Sequence, residues 1–420
     1  MKRTRVLLSA YQCAPGQGSV SQIGWEWYSR LTSRADVTLV THIRNKPALE
    51  RVGAPLPGSE VIFIDTEWFA RPLYATAGKI FRRSQHAVFL ISSLDFFVFD
   101  RAALRILKKQ PPHSWDIIHA ATPVSPIAAT TLFRLGLPLI TGPWNGGMTS
   151  PQTFRAIMRD DSAWVYRIRD LGRMLDRAIG CTKNAALILS ATRASDQSVP
   201  AASRHKIRRM IENGVDLSVF HPGSWDPPPS KNVPLRIIFV GRLIPVKGIP
   251  LLLDAVAKVR NEFPLTLTII GDGPIRAEVE AHVNQRALAD IVTLTGNLPL
   301  PQVAQYMRNG HLFCLPSVRE SGGAVLLESM ACAVPVAAVN YGGPAEIVDD
   351  EVGRLLSAEG PDELASDLAA LFRDVAAHPE EWRKRGIAGR RRAETKYGWD
   401  AKVDEACALY QEVIEKRRAG

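Results

Sequence analysis

Cysteine is scarce in this sequence: five residues in 420 (Cys13, Cys181, Cys314, Cys332 and Cys407), widely scattered and without a Cys-x-x-Cys pair. An odd, dispersed set offers neither a disulfide framework nor a zinc knuckle; it fits small core residues in a reducing cytosol. Long apolar runs are missing too. The most apolar stretch, Ala87 to Phe99, is broken by Ser92, Ser93 and Asp95 and falls short of the roughly 18 residues that span a bilayer. The start, Met1-Lys2-Arg3-Thr4-Arg5 before Val6-Leu7-Leu8, imitates a signal peptide, but a signal core needs roughly 7–15 apolar residues, so this run reads as a first strand. Short repeats and low-complexity tracts are absent, and 46% hydrophobic with 22% charged residues is the usage of a folded globular chain. The net charge of +10 favours anionic partners such as a nucleotide diphosphate or a phospholipid surface. Nucleic acid is not expected, because no zinc pattern, aromatic RNA motif or helix-turn-helix signal accompanies that charge.

What is present is an alternation of short β-branched runs with longer patterns of helical period. Thr4–Ser9, Asp36–Thr41, Glu60–Asp65, Asp116–His119 and Leu137–Thr141 read as strands. The alternation restarts with Leu235–Val240, Leu265–Gly271, Val292–Thr295, Leu312–Leu315 and Val334–Ala338, with a helical pattern at Leu251–Phe263. Such alternation predicts parallel α/β layers, here in two domains: 1–220 and 235–399. The proline-rich stretch from Trp225 to Asn232 marks a linker over 221–234. Val403, Ala406, Leu409, Tyr410 and Val413 give 400–420 the spacing of a terminal helix.

The richest segment runs Pro316-Ser317-Val318-Arg319-Glu320-Ser321-Gly322-Gly323-Ala324-Val325-Leu326-Leu327-Glu328. A buried strand delivers a Gly322-Gly323 loop, and an apolar helix starts near Ala324. First-turn N–H groups lack intrahelical partners and carry the positive end of the helix dipole, so this is a phosphate cradle. Glu320 and Glu328, separated by seven residues, can flank a ligand and accept hydrogen bonds from sugar hydroxyls. A second strand end, Gly241-Arg242-Leu243-Ile244-Pro245-Val246-Lys247-Gly248, carries two cations suited to a departing diphosphate. A third, Gly271-Asp272-Gly273-Pro274, is a tight turn on the same edge.

Together these residues resemble the family-4 retaining glycosyltransferases (glycosyl transferases group 1), whose GT-B fold sets two Rossmann-like domains face to face across a cleft. Gly-Arg-Leu-x-x-x-Lys-Gly, Gly-Asp-Gly-Pro, Glu-x7-Glu and Gly342-Gly343-Pro344-Ala345-Glu346 occur in family order between Leu235 and Leu356. Asn213-Gly214-Val215-Asp216 resembles the interdomain segment, and Tyr397-Gly398-Trp399 the start of a helix that crosses back onto the first, acceptor-side domain. The resemblance implies that Arg242 and Lys247 hold the donor diphosphate and that Glu320 contacts the donor sugar near its reacting carbon. It further implies that Gly322, Gly323, Ala324 and Val325 grip sugar and phosphates, that Glu328 binds the ribose, and that Gly241 and Gly273 border the nucleotide. Gly16 and Gly18, in the loop Ala14–Ser19, would close over the diphosphate from the first domain. The implied reaction transfers a hexose-type sugar, with retention, from a nucleotide-diphosphate sugar to a glycan or lipid-linked glycan in cell-surface polysaccharide assembly. The nucleotide sugar serves as co-substrate, without a further cofactor; no Asp-x-Asp motif for a metal occurs.

The chain also departs from the pattern. Ser19-Val20-Ser21 stands where an acidic or amide residue often follows the N-terminal glycines, Ser321-Gly322-Gly323 replaces Gly-Phe-Gly, and His119 is a single histidine where many members have two. His119 therefore reads either as an active-site residue or as a satisfied structural one. Trp25 and Trp27 read as inward-packing helix residues or as acceptor contacts, and Asp349-Asp350-Glu351 as a solvated turn. From Trp68 to Gln110, Arg71, Lys79, Arg82, Arg83, Arg101, Arg105, Lys108 and Lys109 interleave with Phe69, Tyr74, Phe81, Phe89, Phe96, Phe97 and Phe99. That pattern suits a cytoplasmic protein resting peripherally on an anionic inner membrane face, or a solvated helix face beside core aromatics. The rival functions are a GT-B nucleotide-sugar epimerase, a pyridoxal-dependent phosphorylase and a non-catalytic anion-binding protein.

Overall fold

Val6, Leu7 and Leu8, like Ile237, Ile238 and Phe239, are buried one after another, which is how strands of a parallel sheet behave when helices cover both faces. The structure is a computed structural model that describes residues 3–80, 85–111, 113–146, 152–154 and 174–419. It has two compact units. The first gathers the described residues of Met1–Met148, Ala163–Glu212 and Lys402–Gly420, and the second those of Thr149–Ser162 and Asn213–Ala401.

The first unit holds strands β1 (Arg5–Ala10), β2 (Asp36–His42), β3 (Ser59–Ile64), β4 (Ile117–Thr122), β5 (Leu139–Trp144), β6 (Leu187–Ser190) and β7 (Ile207–Arg209). They form one parallel sheet in the order β3-β2-β1-β4-β5-β6-β7. The second holds β8 (Leu235–Val240), β9 (Leu265–Ile270), β10 (Val292–Gly296), β11 (Leu312–Leu315), β12 (Val336–Val339) and β13 (Gly353–Leu356), also parallel, in the order β10-β9-β8-β11-β12-β13. Each sheet grows outward in one direction from its first strand and then restarts on the other side, the doubly wound pattern of Rossmann-like folds.

Three strands escape the sequence reading. β6 and β13 have four residues each and β7 three, too short for periodicity to separate from a buried helix turn or a loop. β5 runs later than expected because a bulge lies between Thr141 and Trp144. There Gly142 adopts φ 98°, and a Cβ would stand 2.2 Å from the Leu189 carbonyl oxygen, so the chain continues past Pro143 and stays in the sheet.

The terminal helix spans Trp399–Ala419, and its described residues from Lys402 onward pack in the first unit. Arg34 pairs with Asp404 at 2.5 Å, Gln411 Nε2 donates to Thr4 Oγ1 at 2.5 Å, and the Lys402 ammonium, 1% exposed, donates to the Ile211 and Glu212 carbonyls. The stretch 221–234 is not free chain: it is docked on the second unit, where Trp225 is 8% exposed with its ring centroid 5.1 Å from that of His311. His311 Nε2 donates to the Trp225 and Pro227 carbonyls, both at 3.2 Å, and Nδ1 accepts from the Arg236 N–H at 3.1 Å. A neutral imidazole thus fastens the proline-rich stretch to the sheet.

His119 and His311 are both fully buried, and burial lowers each to about 4. Below pH 6.5 the unfolded chain takes up protons that the folded histidines refuse, so stability falls as pH drops from about 6.5 toward 4, by up to about 3 kcal/mol per residue. Glu328, raised to about 7 by burial, acts in the opposite sense, since its protonation favours the folded state as pH falls. Urea midpoints of the Glu328→Gln variant, free of that offset, should decrease steadily from pH 7 through 6 to 5; a flat profile would contradict two neutral buried histidines.

Candidate active site

The order of the second sheet changes direction between β8 and β11, and in open α/β sheets ligands settle at that switch point, beyond the carboxyl ends of the strands. The loop after β8 ends in a one-turn helix, Pro245–Lys247, and the loop after β11 leads to the helix Ala324–Ala331. Across the switch point Lys247 Nζ stands 2.5 Å from Glu320 Oε2, with the two side chains 17% and 15% exposed. Glu320 Oε1 also accepts from the Gly323 N–H at 3.5 Å.

These loops are fastened by backbone. The Val318 N–H donates to the Val246 carbonyl at 2.9 Å, and the Gly343 N–H, from the loop after β12, donates to the Glu320 carbonyl at 3.0 Å. Gly248 has φ 66°, and a Cβ there would lie 2.2 Å from the Pro316 oxygen; one on Gly343 would lie 2.1 Å from the Ser321 oxygen. On the other side, the Gly241 N–H donates to the Ile270 carbonyl and the Leu243 N–H to the Asp272 carbonyl, both at 2.9 Å, and this seats the Gly271–Gly273 turn beside the β8 loop.

Gly323, at φ 56° and ψ 34°, starts the helix Ala324–Ala331 with no side chain capping it, so its first N–H groups are left for a ligand. Gly322 and Gly323 are buried, and Ala324 and Val325 are half-buried at the helix mouth. Leu326, Leu327 and Met330 anchor the helix in the core, while Glu328 is half-buried and burial raises its carboxyl to about 7. Arg242 is exposed in the β8 loop. The structure therefore brings Lys247, Glu320, Gly322 and Gly323 into one contact network, with Gly241 and Gly273 in the adjoining loops.

In the first unit, Gly16 has φ 71° and donates its N–H to Gln22 Oε1 at 2.8 Å, and Gly18 opens the helix Gly18–Leu31; both follow β1, at that sheet's own switch point. His119 has surroundings that match the satisfied structural reading rather than the active-site one. It has no exposed surface, its Nε2–H donates to the Gly142 carbonyl at 2.8 Å, and its Nδ1 accepts from the Tyr410 hydroxyl at 2.7 Å. The Trp27 ring, also fully buried, stands edge-on to it at 4.9 Å, so Trp27 is core as well.

A polar cluster beyond the carboxyl ends of β1, β2 and β3 escaped the sequence reading. Asp95, with no exposed surface, accepts from the Tyr11 hydroxyl at 2.5 Å and pairs with Arg44 at 3.0 Å; Arg44 also pairs with Glu67 and lies over the Tyr74 ring. His42 shares a hydrogen bond with Thr66 Oγ1 at 2.9 Å, and burial pushes it below its ordinary value. The available signal was Asp95 itself, a carboxylate inside the most apolar stretch, since a charge buried there must find partners.

Of the basic-aromatic stretch, Phe96 and Phe99 lie in the core and Trp68 is 73% exposed; Phe81, Arg82 and Arg83 lie outside the described residues, as do the side chains of Lys79 and Phe89. Among the described residues no helix is long and apolar enough to cross a membrane, and no cluster of three or more His, Cys, Asp or Glu is arranged to hold a metal ion. Asp349 and Glu351 are instead paired with Arg392, at 2.8 and 2.5 Å.

Residues 226–389 match the model of the glycosyl transferases group 1 family. The chain is 33% identical over 227 residues to a D-inositol 3-phosphate glycosyltransferase of Segniliparus rotundus, covering 51% of this chain and 49% of that protein. It is 29% identical over 343 residues to the D-inositol 3-phosphate glycosyltransferase of Kribbella flavida, covering 76% and 77%. The first of these alignments thus spans about half the relative's length. The Anabaena protein HepE, solved in complex with UDP, superposes with a TM-score of 0.64 at 16% identity over 97% of this chain and 100% of that one. Residues 226–389 are thus similar to the glycosyl transferases group 1 family, and the chain's two parallel sheets have the fold of GT-B glycosyltransferase structures.

Proposed function

We propose that this protein transfers a hexose-type sugar from a nucleotide-diphosphate sugar to a hydroxyl of a glycan or lipid-linked glycan, with retention at the anomeric carbon, in cell-surface polysaccharide assembly. The observation that carries the reading is the Lys247–Glu320 pair at the switch point, beside the uncapped helix after Gly323. A cation, free helix N–H groups and a carboxylate are what a sugar diphosphate requires at its two ends.

In the reaction the bond from the anomeric carbon to the diphosphate oxygen breaks and its electron pair leaves with the diphosphate. The acceptor oxygen forms the new bond on the same face, and its proton passes to a donor phosphate oxygen. Lys247 and Arg242 balance the charge on the leaving group, as do the N–H groups of Ala324 and Val325, with Gly322 and Gly323 allowing close approach. Glu320 accepts from a hydroxyl of the transferred sugar and holds Lys247 in place, while Glu328 accepts from the ribose. Gly241 and Gly273 border the nucleotide. A uridine nucleotide is the first donor to try, because HepE carries UDP.

Lys247→Ala should lower kcat/KM about 10²–10³-fold with an unaltered melting profile, since the residue sits in a half-buried loop. Full turnover in that variant would remove Lys247 from the mechanism. Glu328 yields a second test, because a carboxyl near 7 is partly neutral at pH 6 and charged at pH 8. Nucleotide-diphosphate affinity, read as thermal stabilisation, should rise with pH more steeply in the wild type than in Glu328→Gln; the nucleotide's own phosphate titrates equally in both. Parallel profiles would argue against a ribose contact.

We also propose that the first unit meets an anionic membrane at the cytoplasmic face through the helix Glu67–Ile80. Its support is the 73% exposed Trp68 beside an exposed Arg71, an amphipathic pairing suited to lipid headgroups. In flotation, Trp68→Ser should lose binding to anionic vesicles; equal wild-type binding to anionic and neutral vesicles would defeat the idea.

A further inference from the structure

A pocket of about 330 Å³ opens at the opposite edge of the second sheet from the Lys247–Glu320 pair. Its walls include Gly310, two residues before β11, and Val334, two residues before β12, so it lies at the amino ends of strands whose carboxyl ends feed the donor loops. Most of the rest of the wall comes from the docked stretch Pro222–Asp226 and from the helix Pro379–Arg392, with Arg308, Cys332 and Ala333 completing it.

The chemistry of this wall is one-sided. Arg308, Arg383 and Arg390 all line the pocket, against a single lining carboxylate, Asp226, which stands 3.5 Å from Arg383. Arg308 donates through Nε and Nη2 to the Ala304 and Val219 carbonyls. Arg390 donates through Nη1 to the Phe220 and Ala331 carbonyls and through Nε to Glu394. A guanidinium has five N–H donors, so each of these arginines is fixed in place with donors to spare. Trp225, which also lines the pocket, is more than nine-tenths buried, and its indole N–H has no acceptor among the described residues. An unmet buried donor is costly, and here it sits among cations.

We propose that this pocket is a second ligand site, taking the phosphate group of a small phosphorylated molecule whose apolar part rests on Pro222, Val334 and Ile387. The missing component of the pocket is an acceptor, and a phosphate brings several acceptor oxygens and negative charge to three guanidinium groups of which, among the described residues, Arg383 and Arg390 have one carboxylate partner each and Arg308 only carbonyls. Cys332, at the same wall, is pushed up by burial and by Glu328 against a downward pull from Arg308 and Arg390.

The test uses inorganic phosphate as the probe, titrated by calorimetry into the full-length protein at constant ionic strength. Arg383 is half-exposed and Ile387 is 52% exposed, so Arg383→Gln and Ile387→Trp can be changed without disturbing the core. The first removes a cation and should weaken phosphate binding about tenfold, a typical loss for a charge-assisted hydrogen bond. The second narrows the pocket and should weaken binding with all cations retained. Lys247→Ala removes phosphate bound at the donor loops and should leave a saturable isotherm that Arg383→Gln, added in that background, still weakens. Loss of phosphate binding in Lys247→Ala, with both pocket variants unchanged, would assign the anion to the donor loops and overturn the proposal, as would the absence of saturable binding to the wild type.

Discussion

Carbonyl oxygens occupy the places where side chains would begin at Gly248 and Gly343, and this crowding governs the second unit's working edge. A loop beyond a strand end is ordinarily the softest part of an α/β sheet. Here the loops after β8, β9, β11 and β12 are joined by backbone hydrogen bonds and by contacts that exclude even a methyl group. Lys247 and Glu320 inherit their spacing from that fastening, and so does the entry of the helix Ala324–Ala331. Placement set by main chain costs little reorganisation when a ligand arrives, which is the condition under which fixed charges and dipoles stabilise a developing anion most.

The first unit follows another logic at the corresponding edge. Its loop after β1 carries Gly16 in an open, left-handed conformation with no neighbour within 4 Å of a Cβ, so nothing there demands glycine except the turn itself. Order on this side comes from side chains: Tyr11, His42, Arg44 and Asp95 share hydrogen bonds and an ion pair beyond the carboxyl ends of β1 to β3. Networks of this kind hold a fixed pattern of donors and acceptors because each member is costly to leave unpaired. One edge is fixed by backbone and the other by a polar side-chain network.

This contrast also explains what could be read from the sequence. The strand, glycine loop and helix from Leu312 to Ala331 were legible because backbone geometry leaves marks in local sequence: glycines at defined offsets, a strand before them, an apolar helix after. β8 and β11 were bounded correctly to the residue for the same reason, as apolar runs, broken only by Arg236 near the start of β8, that end at glycine or proline. The Tyr11–Asp95 cluster left no such mark, since its members lie up to 84 residues apart and meet only through the sheet order. His119 misled for a related reason. Its position at a strand end resembles that of a ligand-facing residue, and only the arrival of Tyr410, 291 residues later, shows that both ring nitrogens are already occupied.

That last contact bears on how the molecule is made. Tyr410 closes over His119, Gln411 reaches Thr4 and Arg417 caps the Gly136 carbonyl, so the first unit's core is finished by a segment synthesised only after the whole of Asn213–Ala401. The intervening unit, Asn213–Ala401 in its larger part, has all its strands before that point. Synthesis and folding therefore run in different orders: the half begun first is completed last, and a nascent chain halted before residue 402 would display a Rossmann-like layer with a helix-shaped gap where Lys402, Ala406, Tyr410 and Val413 belong.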